Sequence, residues 1–453
     1  MGRSKGAAAR CKKAAATRKA NTPTIADAPV KAEPARQCRS LSPDVLANIH
    51  DRLGFLDRVA FAAVFAASCD DDLFKPHAPW LVLPGNTPDT LQLFSVADRR
   101  GATVPAPKPA LGGHFVLGSS RGWLATADVR GQIYLVNPAT GEQHVLPHLS
   151  TMGVFLPSKN YDNFSLENDP YLTIRYGHGP PFKEHWEAHA RTSTYADNQM
   201  RMWFYRKVVL SSSPARPGTY AVMLITNWRT GAPAFATAED PVWRLAPSRD
   251  GVEDAIHHDG QFYSVSYSGV VEVWERDADS GAYTSTAITP RLTVEENKGE
   301  GKEPSCRKYV AAAPGGRLMV VIKYPGQIVE DRYRQNKWSC SFKVHVLGDD
   351  GQWKETTDIG DLALFVGMNN SLCVSTIGRP QIKASCVYYT DDLLGAAELR
   401  KQESSSYSYS SRDDFRAVGV YSLMDGTVKK IEALREEQRS FYPPPVWITP
   451  SIP

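Results

Sequence analysis

Paired cysteines are absent. The seven cysteines are scattered through 453 residues and no two form a C-x-x-C pair. That argues against zinc-ribbon and thioredoxin-like chemistry and fits a reducing intracellular setting. Long apolar runs are also missing. No window approaches the ~18 unbroken apolar residues of a membrane span, and the basic N-terminus is not followed by the apolar stretch of a secretory signal. An excess of one charge is missing too. Fifty-two Lys and Arg stand against 49 Asp and Glu, for a net charge of +3, too balanced to point the whole chain at nucleic acid. Neither a membrane nor a nucleic-acid partner is expected.

Signatures of catalysis are equally sparse. Gly112-Gly113 and Gly315-Gly316 lack the Gly, Lys and helix that complete a phosphate loop. His185 and His189 stand four apart with Glu184 and Glu187 nearby, but Trp186 and Glu187 break the H-E-x-x-H order and no third ligand is marked. A solvated helix is the plainer reading. His257-His258-Asp259 sits at a strand end and turn, with no nucleophile marked beside it. Asp70-Asp71-Asp72 fits helix capping more cheaply than a cation. The expectation is a protein with no cofactor, no metal and no catalytic residue.

What is present is a core and many turns. Hydrophobic residues make up 42% of the chain and there are ten Trp. Within Gly118–Pro147, Trp123-Leu124-Ala125 reads as a short strand and Asp128-Val129-Arg130-Gly131 as a turn, with Gly131 able to take positive φ. Ile133-Tyr134-Leu135-Val136 returns as a strand buried on both faces. Asn137-Pro138-Ala139-Thr140-Gly141 turns again, and Gln143–Leu146 opens a third strand. The pattern recurs at Ala255–His258, Gln261–Val265 and Val270–Trp274, then at Tyr309–Ala312 and Leu318–Ile322. It continues through Phe342–Leu347, Trp353–Thr356, Leu362–Val366, Cys386–Thr390 and Val418–Leu423. Strands grouped at roughly the 40–50-residue period of propeller blades imply a mainly β chain folded as a β-propeller of about five or six blades. A pair of stacked β-sandwiches is the competing all-β architecture. Trp123, Trp274, Trp338, Trp353 and Trp447 read as wedges between blades. Trp228 and Trp243, beside Arg229 and Arg244, suit either the core or an exposed binding face. Residues 150–203 are the least legible, with Tyr171-Leu172-Thr173-Ile174 the clearest strand. Glu295–Glu303 and Leu399–Asp414 read as loops. Asn163-Phe164-Ser165 and Asn369-Asn370-Ser371 match the glycosylation pattern, which cytosol would leave unused.

The chain divides into three. Residues 1–36 carry almost no large apolar side chains and are expected to be a disordered basic tail. A solvated tail, a nuclear-import signal and an organelle transit peptide all fit it. Residues 37–75 read as three short helices: Ser42 as N-cap, Pro43 at the first helical position and Asp44 at the positive dipole end, then Val45, Leu46, Ile49 and Leu53 on one face. Gly54 stops the first helix, Asp57 caps a second through Val59, Phe61 and Val64, and Asp70–Asp72 starts a third. So few residues cannot make a core alone. Residues 76–453 form the propeller domain, entered through a Pro-rich connector in which Pro79-Trp80-Leu81-Val82-Leu83-Pro84 and Leu91–Val96 are strands and Asp98-Arg99-Arg100-Gly101 is a turn.

Leu41-Ser42-Pro43-Asp44-Val45-Leu46, with Ile49, Leu53, Asp57-Arg58, Phe61 and Val64, resembles an F-box. The Trp usual in the third segment of that motif is absent from Val64-Phe65-Ala66-Ala67-Ser68-Cys69. Gly118-Ser119-Ser120-Arg121-Gly122-Trp123-Leu124, Asn137-Pro138-Ala139-Thr140-Gly141 and Leu146-Pro147 are similar to the plant KIB-type β-propeller family. So are Pro79–Pro84, Phe94-Ser95-Val96-Ala97-Asp98, Val270–Trp274, Val387-Tyr388-Tyr389-Thr390-Asp391-Asp392 and Pro444-Pro445-Val446-Trp447-Ile448-Thr449-Pro450-Ser451. The resemblance implies a non-catalytic substrate receptor of a Skp-cullin-F-box ubiquitin ligase. Leu41, Pro43, Val45, Leu46, Ile49, Leu53, Val59 and Phe61 would hold a Skp-type adaptor, and through it a cullin, while the propeller binds a target protein. A nuclear or cytoplasmic location follows. The alternative is a propeller interaction module whose degenerate F-box no longer holds the adaptor.

Overall fold

A computed structural model describes residues 41–61, 78–157, 163–167, 192–196, 204–294, 306–390, 392, 418–431, 434 and 445–450, with short gaps at 55, 59, 88, 107–113, 129–130, 153–154, 216–217, 219, 227–230, 249, 325–327, 331–335 and 339. Thirty strands dominate it, and six sheets stand around one axis. Blade one joins Val446–Ile448 to Trp80–Pro84, Thr90–Ser95 and Arg100–Pro105. Blade two runs Phe115–Ser120, Trp123–Ala127, Ile133–Val136 and Gln143–Val145. Blade three runs Tyr205–Leu210, Ala221–Thr226, Ala234–Thr237 and Arg244–Leu245, and blade four Val252–His258, Gln261–Ser266, Val271–Arg276 and Tyr283–Ala287. Blade five is Arg307–Ala312, Leu318–Tyr324, Ser341–Leu347 and Trp353–Thr356. Blade six has five strands in the order Leu372–Ser375, Leu362–Val366, Cys386–Thr390, Val418–Ser422 and Val428–Lys429, with Leu362–Val366 and Cys386–Thr390 paired in parallel.

The ring, rather than a stack of sandwiches, follows from where each face of a strand points. In Trp80–Pro84, Trp80 and Val82 enter the core shared with blades two and three, while Leu81 and Leu83 enter the core shared with blade six. In blade six, Ala363 and Phe365 face blade one, and Leu364 and Val366 face blade five. In blade five, Tyr309 and Ala311 meet blade six while Val310 meets blade four. A continuous apolar run, buried on both faces, therefore fills two different wedges at the two-residue period of a strand. Trp123, Trp274 and Trp447 are buried wedges as expected.

Local expectations hold where turn chemistry is explicit. Gly131 has φ of 81° and its N–H donates to the Asp128 carbonyl at 3.1 Å. The Asn137 side chain accepts from the N–H groups of Ala139 and Thr140 at 2.9 and 3.3 Å, the bond that makes Asn a turn starter. Two readings are corrected. Arg100 and Gly101 do not turn the chain; they open a strand, because the turn closes at Arg99. Trp80–Pro84 is not a connector strand; it pairs with Val446–Ile448 in the register Trp80↔Ile448, Leu81↔Trp447, Val82↔Val446 and closes the ring. In the poorly legible region, Phe155–Pro157, Asn163–Glu167 and Thr192–Ala196 form a three-stranded sheet. Tyr171–Ile174, the tail 1–36, both long loops and the third helix expected from Asp70 lie outside the described residues.

The helix Pro43–Arg52 begins after Ser42, whose carbonyl accepts from the N–H groups of Val45 and Leu46; its hydroxyl makes no capping bond. Asp57 lies inside the next helical stretch rather than capping it, since the Arg58 N–H already reaches the Gly54 carbonyl at 2.9 Å. Arg58 ties this segment to blade one through Asp98 at 3.1 Å, and Leu56 packs on the core of blades one to three. No helix among the described residues is long and apolar enough to cross a membrane.

Candidate binding surfaces on the helical segment and the ring axis

Eight residues were expected to face an adaptor. Leu41 and Val45 are 45% and 43% exposed. Ile49, Leu53 and Phe61 are half-buried, and Leu46 is buried. The Phe61 ring stands 6.3 Å from that of His50. Pro43 opens the helix, and Val59 lies outside the described residues. The segment thus divides its apolar residues. Leu46 is spent on its own packing, and Leu41 with Val45 is left facing outward.

The second feature is a set of buried charges on the inner strands. Lys207 of blade three is fully buried and pairs with Asp254 of blade four. Asp254 also accepts from the Val310 N–H of blade five and the Ser371 hydroxyl of blade six, each at 3.0 Å. One carboxylate therefore joins four consecutive blades. Lys308 reaches Glu253 at 3.4 Å. Asp392 takes Arg307 at 2.8 Å, the Tyr309 hydroxyl at 2.7 Å and Lys323 at 3.2 Å. Burial lowers the Lys207 ammonium against the pull of Asp254, and burial raises the Glu253 carboxyl against Lys308. Burial also works against charge on Asp392, but Lys323, Arg307 and the Tyr309 hydroxyl outweigh it and hold that carboxyl well below the usual range. These groups satisfy one another, so they suit fixing the register of neighbouring blades rather than receiving a ligand. They were missed in the sequence, yet a signal is there. Arg206-Lys207, Glu253-Asp254 and Arg307-Lys308 each precede an apolar run at the same place in successive repeats, and the sign alternates.

The third feature is the mouth of the ring where the inner strands end. A cavity of about 520 Å³ opens there, lined by Arg121, His257, His258, the serines around 120 and 211–213, and the segment 370–373. That segment follows a crossing of the axis: Asn370 donates its N–H to the Ser119 carbonyl at 2.7 Å, and Asn369 is fully buried, so the Asn369 glycosylation pattern is not at an accessible site. Arg121 reaches from the blade two turn to His257 Nδ1 of blade four at 2.9 Å. Burial, then the Arg121 charge, lowers His257 to about 4 despite its bond to the Gly260 backbone. The imidazole is neutral at pH 7 and its Nδ1 accepts. His258 Nε2 meets Asp259 at 3.2 Å. The cavity's thiol, Cys373, is pushed up to about 12 by burial, far from a reactive thiolate.

Other sequence candidates resolve as follows. Trp243 is buried and donates to the Pro147 carbonyl at 2.7 Å, so it belongs to the core; Trp228 and Arg229 lie outside the described residues, as do His185, His189, Gly112-Gly113 and Asp70–Asp72. Gly315-Gly316 is the turn between two strands of blade five. Among the described residues no group of three His, Cys, Asp or Glu is placed to hold a metal.

A family model described as KIB1-4 beta-propeller matches residues 93–422. Two Arabidopsis thaliana proteins are similar. F-box protein SKIP23 is 23% identical over 242 residues, covering 51% of this chain and 54% of that protein. F-box protein At2g17036 is 25% identical over 244 residues, covering 51% and 53%. The match thus spans about half the length of these relatives. Among solved structures, that of U3-55K covers 71% of this chain and 90% of its own at 11% identity, with a TM-score of 0.31, too loose a likeness to bear on function.

Proposed function

The chain belongs to the KIB1-4 beta-propeller family, and from that membership we propose that it is a non-catalytic substrate receptor of a Skp-cullin-F-box ubiquitin ligase. The observation that carries the reading is the outward pair Leu41 and Val45 on a helix too short to fold alone, anchored to blade one by Arg58 and Asp98. An exposed apolar pair on a propped helix supports a protein partner, and both relatives bear the F-box name. In this reading the helical segment holds a Skp-type adaptor and thereby a cullin, the propeller holds a target protein, and the receptor works in the nucleus or cytoplasm. Its contribution is proximity, raising the effective concentration of target lysines near the ligase. A propeller interaction module without an adaptor is the second reading, favoured by Ser68 in the segment where the motif usually carries Trp.

Co-expression with a Skp-type adaptor decides between them. The wild-type chain is expected to retain the adaptor at micromolar concentration. Leu41→Asp with Val45→Asp is expected to weaken capture by at least about tenfold while thermal unfolding of the propeller stays unchanged, because both side chains already face solvent. Failure of the wild-type chain to hold the adaptor would leave the second reading.

A further inference from the structure

We propose that the mouth of the ring binds a phosphorylated serine or threonine of the target protein, with Arg121 as its anchor. This deepens the receptor reading and rests on it. The first observation is backbone conformation. Arg121 and Gly122 make the tight turn between Phe115–Ser120 and Trp123–Ala127, with φ of 53° and 80°. The left-handed region favours Gly, Asn or Asp and disfavours a long side chain. The matching turn of blade four obeys that preference with Asp259-Gly260. At the same corner of blade two stands an arginine whose guanidinium is held over the cavity by a neutral His257.

The second observation is the state of the hydroxyls. Ser120 Oγ accepts from the Leu210 N–H at 3.1 Å, Ser211 Oγ from the Ala221 N–H at 2.8 Å, and Ser213 Oγ from Trp123 Nε1 at 3.0 Å. A hydroxyl that accepts an N–H retains its own proton for donation. Three such serines line the cavity with Arg121, and among the described residues no carboxylate lines it. The acid below the cavity is engaged, Asp254 with Lys207, Val310 and Ser371. One cation and three O–H donors complement a tetrahedral dianion with three acceptor oxygens better than a planar carboxylate. A cavity of about 520 Å³ leaves room beyond the phosphate for the residues that flank it.

The test uses the full chain and fluorescein-labelled degenerate peptide pools fixed at the centre as phosphoserine, phosphothreonine, serine or glutamate, read by fluorescence anisotropy. The phosphorylated pools are expected to bind at least tenfold tighter than the serine pool, with glutamate between. Arg121→Gln should reduce phosphoserine binding to the serine level. Arg121→Asn should do the same while melting at the same temperature or higher, because Asn suits that turn. Equal binding of all four pools, or a preference that survives Arg121→Asn, overturns the proposal. Displacement of the phosphoserine pool by inorganic phosphate at the peptide's own half-saturating concentration also overturns it, since the site would then serve a small anion. Adaptor capture on the same preparations keeps the two readings apart: a chain that holds adaptor but does not discriminate phosphate loses only this proposal, and the reverse loses only the ligase role.

Discussion

Glu272 sits on Val271–Arg276 of blade four with 7% of its surface exposed. Burial, and then the Asp250 charge, push its carboxyl up to about 7, with the Ser285 hydroxyl opposing. A carboxyl whose folded value lies above its unfolded value stabilises the fold fully below about pH 4, and that contribution disappears as pH rises through about 7. Glu272→Gln is therefore expected to gain on the wild type as pH rises, by on the order of 2–3 kcal/mol at about pH 8. Urea denaturation of both proteins at about pH 5 and pH 8 checks it; a stability difference that does not change between the two would show that Glu272 ionises without cost. Asp392 has the opposite sign. Its carboxyl is held low by Lys323 and Arg307, so its stabilisation is present at neutral pH and is lost as pH falls below the ordinary carboxylate range.

Among elements, the segment after Val366 shows how one strand constrains another. Gly118 in the first strand of blade two has φ of 145°, and a Cβ there would fall well inside contact distance of the Met368 carbonyl. Blade six can cross the axis only because blade two leaves that space. Gly118→Ala is expected to displace residues 367–371, breaking the bond between Asn370 and Ser119 and the one between Ser371 and Asp254. The expected cost is about 2–4 kcal/mol, seen as faster hydrogen exchange at 367–371 than in the outer strands. Unchanged exchange in that segment would show that the crossing does not depend on the glycine. The same logic explains why the blade six strand order was hidden. Leu362–Val366 and Cys386–Thr390 are both plain in the sequence, but their parallel pairing depends on a crossover made by Leu372–Ser375.

The whole molecule is held by its last strand. Trp447 is fully buried against Phe365 at 5.1 Å and Tyr388 at 6.3 Å between ring centroids, and its carbonyl takes the Ser119 hydroxyl of blade two. Val446–Ile448 thus binds blades one, two and six at once. Pairing the first described strand with the last is a contact of high sequence separation, the kind that slows folding. Trp447→Ala is expected to cost about 3–5 kcal/mol, and removal of residues 446–453 to open the ring. Limited proteolysis should then cut within blade one before blade four; cleavage with the wild-type pattern would show that closure does not depend on this strand.

Period, turn residues and composition were enough to read the β class, most strand positions and the short helix, because these depend on neighbours in the chain. Trp353–Thr356, Leu362–Val366 and Cys386–Thr390 stand where the alternation and turn signals put them. The apolar helix residues were visible too, but not their division into buried Leu46 and outward Leu41 and Val45, which depends on the surface the helix packs against. Blade closure, the pairing of the buried charges around Asp254 and the meeting of Arg121 with His257 belong to the tertiary structure; the alternating charge pairs leave a trace in the sequence, but not which blades they join. Each joins residues from blades far apart in sequence, and local pattern carries no information about which strand end will stand across the axis from which.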